Sequence, residues 1–182
     1  DGIDKTHPFL AGKVVSEACY TDRNCPGGSS SSTAPGSGLP CRGCEHGTHV
    51  AGIAAGFLPS GLSGVGPGAQ LISIRIFAGD TARLSDLLMA MERVHALKDR
   101  YNIAAVNLSL GFDYYTSSTC NGTSPAMTAA IKQLKASGIA SIVARSWSSG
   151  PCLLSTRWKI TRRPSRLAIY SCTAQPHTEI GM

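Results

Sequence analysis

A parallel α/β sheet covered by helices is the fold class that this 182-residue chain predicts, and three observations carry it. Short, nearly continuous apolar runs recur at Gln70–Phe77, Ile103–Leu110 and Ile139–Ala144, as strands buried on both faces do. Between them lie segments whose apolar residues fall at helical spacing. The alternation of the two is the pattern of strand–helix–strand units. The length suits one domain with a real core, and no run of about 18 apolar residues suggests a membrane span.

The elements follow in order. Asp1–His7 is turn-like with Pro8 after it, and Lys13–Ala18 is a short strand. Residues 21–44 form a long Gly/Ser/Pro-rich loop, of a length that in compact domains is functional, disordered or inserted. A helix starts at His46, after the turning lead-in Arg42-Gly43-Cys44, and ends near Gly56–Pro59. His46 and His49 stand three apart and share a face. Gly47, Gly52 and Gly56 cost helix propensity, which predicts that another element approaches this backbone closely. The positive end of the helix dipole favours a neutral imidazole at His46, and a neutral imidazole is what a general base needs.

Gly61–Gly68 is a glycine-rich loop. Its Gly64-x-Gly66-x-x-Ala69 imitates a dinucleotide fingerprint, but that fingerprint follows a strand and opens a helix, whereas this stretch precedes one. Arg83–Lys98 carries Leu84, Leu87, Leu88, Met91 and Val94 at helical spacing, with His95 in the same stripe as a core or edge histidine with a backbone partner rather than a catalytic one. Gly111–Gly122 is loop. Ser124–Ser137 is a second amphipathic helix, with Ser124 as N-cap and Pro125 at the first helical position.

With these elements placed, the sequence resembles the subtilisin-like serine peptidases, the subtilases. His46-Gly47-Thr48-His49-Val50-Ala51-Gly52 looks like the family's histidine motif, and Gly2-Ile3-Asp4 with His7-Pro8-Phe9-Leu10 looks like the tail of its aspartate motif. Gly64-Val65-Gly66-Pro67-Gly68-Ala69 is similar to its Gly-Val-Ala-Pro-x-Ala segment, and Asn107-Leu108-Ser109-Leu110-Gly111 resembles the strand end that lines its cleft. Together the matches cover residues 1–144 in the family's order. The resemblance implies a truncated three-layer subtilisin-like fold and endopeptidase cleavage of a polypeptide substrate. His46 would be the general base that takes the nucleophile's proton and returns it to the leaving amine, and His49 a structural second histidine. Ser109, Leu110 and Gly111 would form the edge on which substrate backbone pairs as an added strand. No cofactor is implied, and no carboxylate cluster marks a calcium site. Oligomeric state is not encoded in any of these features.

The other members of the site depart from the family pattern. The family's catalytic Asp stands two residues before the glycine. Asp1 stands one before Gly2, at the intermediate position. Neighbouring strand residues point to opposite faces, so the orienting carboxylate is expected upstream of Asp1, in keeping with a chain that starts at Asp rather than Met and reads as a processed form or a fragment. Gly122-Thr123-Ser124-Pro125-Ala126-Met127-Thr128 imitates the nucleophile motif, but Thr128 replaces its final Pro and it comes before the third apolar strand instead of well after it. The oxyanion Ser-Gly-Asn expected after that strand is replaced by Arg145-Ser146-Trp147. Loss of one such donor costs about a hundred- to thousandfold in turnover.

A second reading starts from Cys41-x-x-Cys44-x-His46-x-x-His49, whose spacings resemble zinc-ligand sets. It would use both imidazoles of the peptidase motif and gives the Gly/Ala-rich continuation no role.

Charge and cysteines bound the rest. The net charge of +6 is uneven: residues 1–144 carry +1, and residues 145–182 carry +5. A nucleic-acid protein would show a basic stripe on its folded surface, so neither nucleic acid nor membrane is an expected partner. Both tryptophans, Trp147 and Trp158, fall after Ala144, and no amphipathic period survives there. Two parts are therefore expected: residues 1–144 as the N-terminal portion of a peptidase domain, and residues 145–182 as an aberrant basic tail of the composition that an out-of-frame translation gives. Of seven cysteines, Cys19, Cys25, Cys41 and Cys44 bracket the long loop, as disulfides in an oxidising compartment would, with connectivity open. An extracellular or periplasmic location follows. Asn121-Gly122-Thr123 is a glycosylation sequon by pattern, and Asn-Gly also suits a turn.

Overall fold

The structure, a computed structural model, describes residues 1–110 and 124–143. Its elements in chain order are β1 (Val14–Cys25), β2 (Ser29–Ser32), α1 (His46–Ala55), β3 (Leu71–Arg75), α2 (Leu84–Tyr101), β4 (Ala105–Leu108), α3 (Pro125–Ala136) and β5 (Ala140–Val143). β1 runs parallel to β3, with Val14 opposite Leu71 and Cys19 opposite Arg75. β4 runs parallel to β5, with Ala105 opposite Ala140. Among the described residues the ladders form a three-stranded sheet in the order β2-β1-β3 and a two-stranded sheet β4-β5.

Every residue of β3 is buried, as its unbroken apolar run requires. The two faces of the strand differ. Ile72, Ile74 and Ile76 join Leu87, Met91 and Val94 of α2, Val106 and Leu108 of β4, and Ile131 and Leu134 of α3 in one core. Leu71 joins Ile3, Leu10 and the small residues Ala51 and Ala55 of α1 in a second core. Side chains alternate faces along a strand, so α1 lies over one face of β3 and α2 over the other. Helix, sheet, helix is the three-layer α/β arrangement that the sequence predicts.

Three expectations need correction. Residues 21–44 are not loop throughout: β1 continues to Cys25 and pairs antiparallel with β2, with Cys19 opposite Ser32 and Tyr20 opposite Ser31. A serine run carries no apolar alternation, so this hairpin is invisible to periodicity; the Cys19–Cys25 disulfide spans the stretch of β1 where its register against β2 shifts. β5 is not buried on both sides: Ile142 is 52% and Val143 40% exposed, because among the described strands it pairs with β4 alone. Leu84, placed in the apolar stripe of α2, is exposed at the helix start, and the buried stripe runs instead through Leu87, Ala90, Met91, Val94 and Leu97.

Candidate functional site

α1 begins at His46, and its lead-in turns as the sequence suggests. Cys41–Cys44 form a turn closed by the Cys44 amide donating to the Cys41 carbonyl at 3.0 Å, with Gly43 at φ +76°. Glu45 occupies the N-cap position without a side-chain capping bond. The helix is fixed from other directions. The Asp4 amide donates to Thr48 Oγ1 at 2.9 Å, tying the first residues of the chain to the first turn of α1. Ile3 donates to the Gly38 carbonyl at 2.8 Å. Gly2 sits at φ +93°, and a Cβ there would lie 2.5 Å from the Leu39 carbonyl oxygen. Only glycine fits.

The glycines of α1 answer to close approaches. A Cβ on Gly56 would lie 2.2 Å from the Phe9 ring, and one on Gly52 3.2 Å from it. The Phe9 carbonyl accepts from the Phe57 amide at 2.9 Å. At the end of α1 the amides of Gly64, Val65 and Gly66 donate in turn to the carbonyls of Gly56, Ile53 and Ala54, at 2.8, 2.9 and 2.8 Å. The last carbonyls of a helix have no partner within it, and the glycine-rich loop supplies donors for two of them and for the carbonyl of the C-cap Gly56. A Cβ on Gly64 would stand 2.5 Å from the Gly52 carbonyl oxygen, so this loop must be glycine to dock. Sequence reasoning saw the loop as a family resemblance and missed this capping role; the signal was two glycines flanking Val65, which is 89% exposed.

His46 is partly exposed. Loss of water around the ring, then the neighbouring His49 charge and the chain's α-amino group, hold its imidazole below the ordinary 6.5. The direction agrees with the expectation of a neutral base, and its leading cause is desolvation. Asp1 is buried, and its Oδ2 lies 3.9 Å from His46 Nδ1, within ion-pair range but longer than a hydrogen bond. The expectation that Asp1 faces away from His46 is corrected: residues 1–4 are not a strand, and Gly2 at positive φ turns the chain, so strand alternation does not apply. His49 is exposed.

Ser109 and Leu110 directly follow β4. Ser109 Oγ accepts from Asn107 Nδ2 at 2.8 Å, and Leu110 packs against the larger core. Gly111 lies outside the described residues, as do the Asn121-Gly122-Thr123 sequon and the chain from Ala144. Ser124 caps α3: its Oγ accepts from the Met127 amide at 3.4 Å, with Pro125 next. His95 pairs with a side chain and not with backbone, its Nδ1 lying 3.2 Å from Ser137 Oγ at the end of α3.

The zinc reading fails on pairing. Cys41 and Cys44 are bonded to each other, as Cys19 is to Cys25, so the two thiolates that a zinc site needs are consumed. Among the described residues no group of three or more His, Cys, Asp or Glu side chains is placed to hold a metal. No described helix is long and apolar enough to cross a membrane.

A family model described as the subtilase family matches residues 1–151. Similar proteins include the thermophilic serine proteinase of Bacillus sp. (strain AK1), 31% identical over 66% of this chain and 26% of its own length. Fervidolysin of Fervidobacterium pennivorans is 44% identical over 42% of this chain and 10% of its own. Thermitase of Thermoactinomyces vulgaris is 34% identical over 41% and 23%. The chain thus spans about a quarter or less of the length of these relatives. The solved structure of the S41 psychrophilic protease superposes with a TM-score of 0.59 at 25% identity, covering 78% of this chain and 42% of that one.

Proposed function

This chain belongs to the subtilase family, and from that premise we propose that it carries the base-bearing part of a serine-type endopeptidase domain acting on polypeptides. His46 is the general base. One observation carries the assignment: the motif histidine stands at the first position of α1, a helix clamped at Thr48 by Asp4 and capped at its far end by Gly64–Gly66, with its imidazole biased toward the neutral form. Ser109, Leu110 and Gly111 are the proposed substrate edge, supported by the position of the first two at the C-terminal end of a parallel strand, where ligands of α/β sheets bind.

Residues 1–182 supply the base without its nucleophile. Ser124 serves as a helix cap, and no oxyanion asparagine follows β5 in the sequence. The chain is therefore proposed to be inactive by itself. The two disulfides support a secreted, oxidising location. The family match runs to residue 151, past the composition break at Ala144. The basic stretch from Arg145 is proposed to be an out-of-frame product, and sequencing the gene across the codons of Ala144–Trp147 checks it; a downstream frame with no family continuation would sink that idea.

Two assays test the assignment. A fluorophosphonate probe should leave the chain unlabelled, and fluorescent casein should stay intact; labelling at Ser124 overturns the capping role. A chimera in which residues 1–110 replace the matching segment of thermitase should digest casein and lose about 10⁴-fold or more on His46→Ala. Digestion indifferent to His46→Ala overturns the base assignment.

A further inference from the structure

The two disulfides differ in what they join and in what can reach them. Cys19–Cys25 joins two residues of β1 across the irregular stretch of that strand, and both cysteines are buried, with the Thr21 hydroxyl 3.3 Å from Cys25 Sγ. Cys41–Cys44 encloses only Arg42 and Gly43, both exposed, and Cys41 itself is half-buried. A cross-link over so short a loop removes little entropy from the unfolded chain, so global stability is a poor reason for it. Its location is more informative. It ends immediately before the N-cap Glu45, which makes no capping bond of its own, and His46 follows.

We propose that Cys41–Cys44 is a thiol–disulfide exchange site, opened and closed by a dithiol partner, whose state sets the order of the turn that starts α1 and positions His46. A thiolate of the partner attacks Sγ of Cys41, the less buried residue of the pair, the bond to Cys44 breaks, and Cys44 leaves as a thiolate that takes up a proton. The partner's second thiol then attacks its own sulfur in the mixed disulfide, releasing the Cys41 thiol and leaving the partner as a cyclic disulfide. Two electrons pass from the partner to this chain, and the reverse sequence closes the bond.

Three features suit the exchange. Arg42 places a positive charge between the two cysteines, where it attracts the incoming thiolate and stabilises a departing one. The start of α1 adds the partial positive charge of a helix N-terminus. The product has a place to go: Cys44 Sγ lies 3.8 Å from the Gly79 carbonyl oxygen, a contact that the bonded sulfur cannot use as a donor and the freed thiol can. Once the bond opens, the segment from Cys41 to Glu45 loses its covalent clasp and is held by the Cys44-to-Cys41 backbone bond, the His49 amide on the Glu45 carbonyl and the Cys44 contact with Gly79, so it gains freedom while α1 stays anchored at Thr48. The consequence for proteolysis rests on His46 being the base. The exchange chemistry does not, and it is tested without turnover.

The test uses the full chain, natively folded, with dithiothreitol as the dithiol and iodoacetamide labelling read by peptide mass mapping. Cys41 and Cys44 should become labelled at roughly tenfold or more lower dithiol concentration than Cys19 and Cys25, because reaction follows access. Amide hydrogen exchange of Glu45–Gly47 should then speed up by about tenfold or more while amides of α2 stay unchanged, as expected of a local opening. Arg42→Glu should slow the second-order opening rate several-fold without altering exchange in the closed state, which a purely structural bridge would not show. A Cys41→Ser, Cys44→Ser double variant should reproduce the fast exchange with no dithiol. Opening of both disulfides together, or only on unfolding, overturns the proposal. So does opening of Cys41–Cys44 with no change at Glu45–Gly47.

Discussion

The two faces of β3 are packed on opposite principles. Over one face α2 and α3 bring large aliphatic side chains, Leu87, Met91, Val94, Ile131 and Leu134, against Ile72, Ile74 and Ile76. Over the other, α1 brings Ala51, Ala55 and glycine backbone against Leu71, Ile3 and Leu10. The first face gains stability from buried volume. The second gains position: α1 is gripped by backbone atoms and by the Phe9 ring, at distances where one methyl group does not fit. The helix that carries His46 sits on the face where geometry, not volume, is fixed.

That contrast makes Gly64→Ala a severely damaging change. The added methyl meets the carbonyl oxygens of Gly52 and Ile53 at 2.5 and 2.6 Å, and the loop must withdraw from α1. Three capping hydrogen bonds go with it, for a loss of about 4 kcal/mol. Gly66→Ala, two residues away, meets nothing closer than 3.5 Å and should cost less than about 1 kcal/mol. Urea unfolding of the two variants measures the difference. Equal costs would mean that α1 is not gripped by backbone at all.

On the opposite face the rule should invert, so that volume decides. Met91 is 2% exposed in the middle of the larger core. Met91→Ala should cost about 3 kcal/mol through the cavity it leaves, and Met91→Leu less than about 1.5 kcal/mol because volume is kept. A large loss for Met91→Leu would show that this face also depends on exact shape.

The same division explains what was legible in the sequence. The α2 side announced itself, because Leu87, Met91 and Val94 at helical spacing and the runs around Ile74 and Val106 are periodic signals of burial. The helices α2 and α3 and the strands β3, β4 and β5 fall where periodicity places them, within a residue or a few of the predicted ends. The α1 side was legible only as too many glycines. That signal predicts a close neighbour without naming it, and neither Phe9 nor Gly64 is near α1 in periodic terms. The β1–β2 hairpin was hidden for a different reason: Ser29–Ser32 pairs through backbone, which has no sequence pattern. At the site, His46 and the cap Ser124 were readable from motif and from N-cap chemistry. The side on which the Asp1 carboxylate falls was not, because it depends on the positive φ of Gly2.

Ser124→Ala is a smaller perturbation, confined to one helix end on the volume-packed side. Losing the Oγ bond to the Met127 amide should cost about 1 kcal/mol, read as a shift of the urea midpoint with an unchanged slope. A change near zero would remove the cap as the explanation of that serine.

The smallest effect expected sharpens the electrostatics of the gripped face. His46 is held below 6.5 first by desolvation and second by His49. In the window between its folded pKa and 6.5 the unfolded chain binds more protons. His46 therefore contributes stability that is present above 6.5 and lost as pH falls through the folded value. Asp86, on the α2 side, runs the other way: burial raises it above 3.8, so its contribution is present below 3.8 and lost as pH rises through its folded value. His49→Ala removes only the second cause at His46. Followed by imidazole NMR, the His46 midpoint should move up but remain below 6.5, with stability changed by less than about 0.5 kcal/mol because His49 is exposed. A midpoint that returned fully to 6.5 would make the neighbouring charge, and not the packing of α1, the source of the lowered imidazole pKa. The tight seating of this helix would then have no bearing on the protonation of His46.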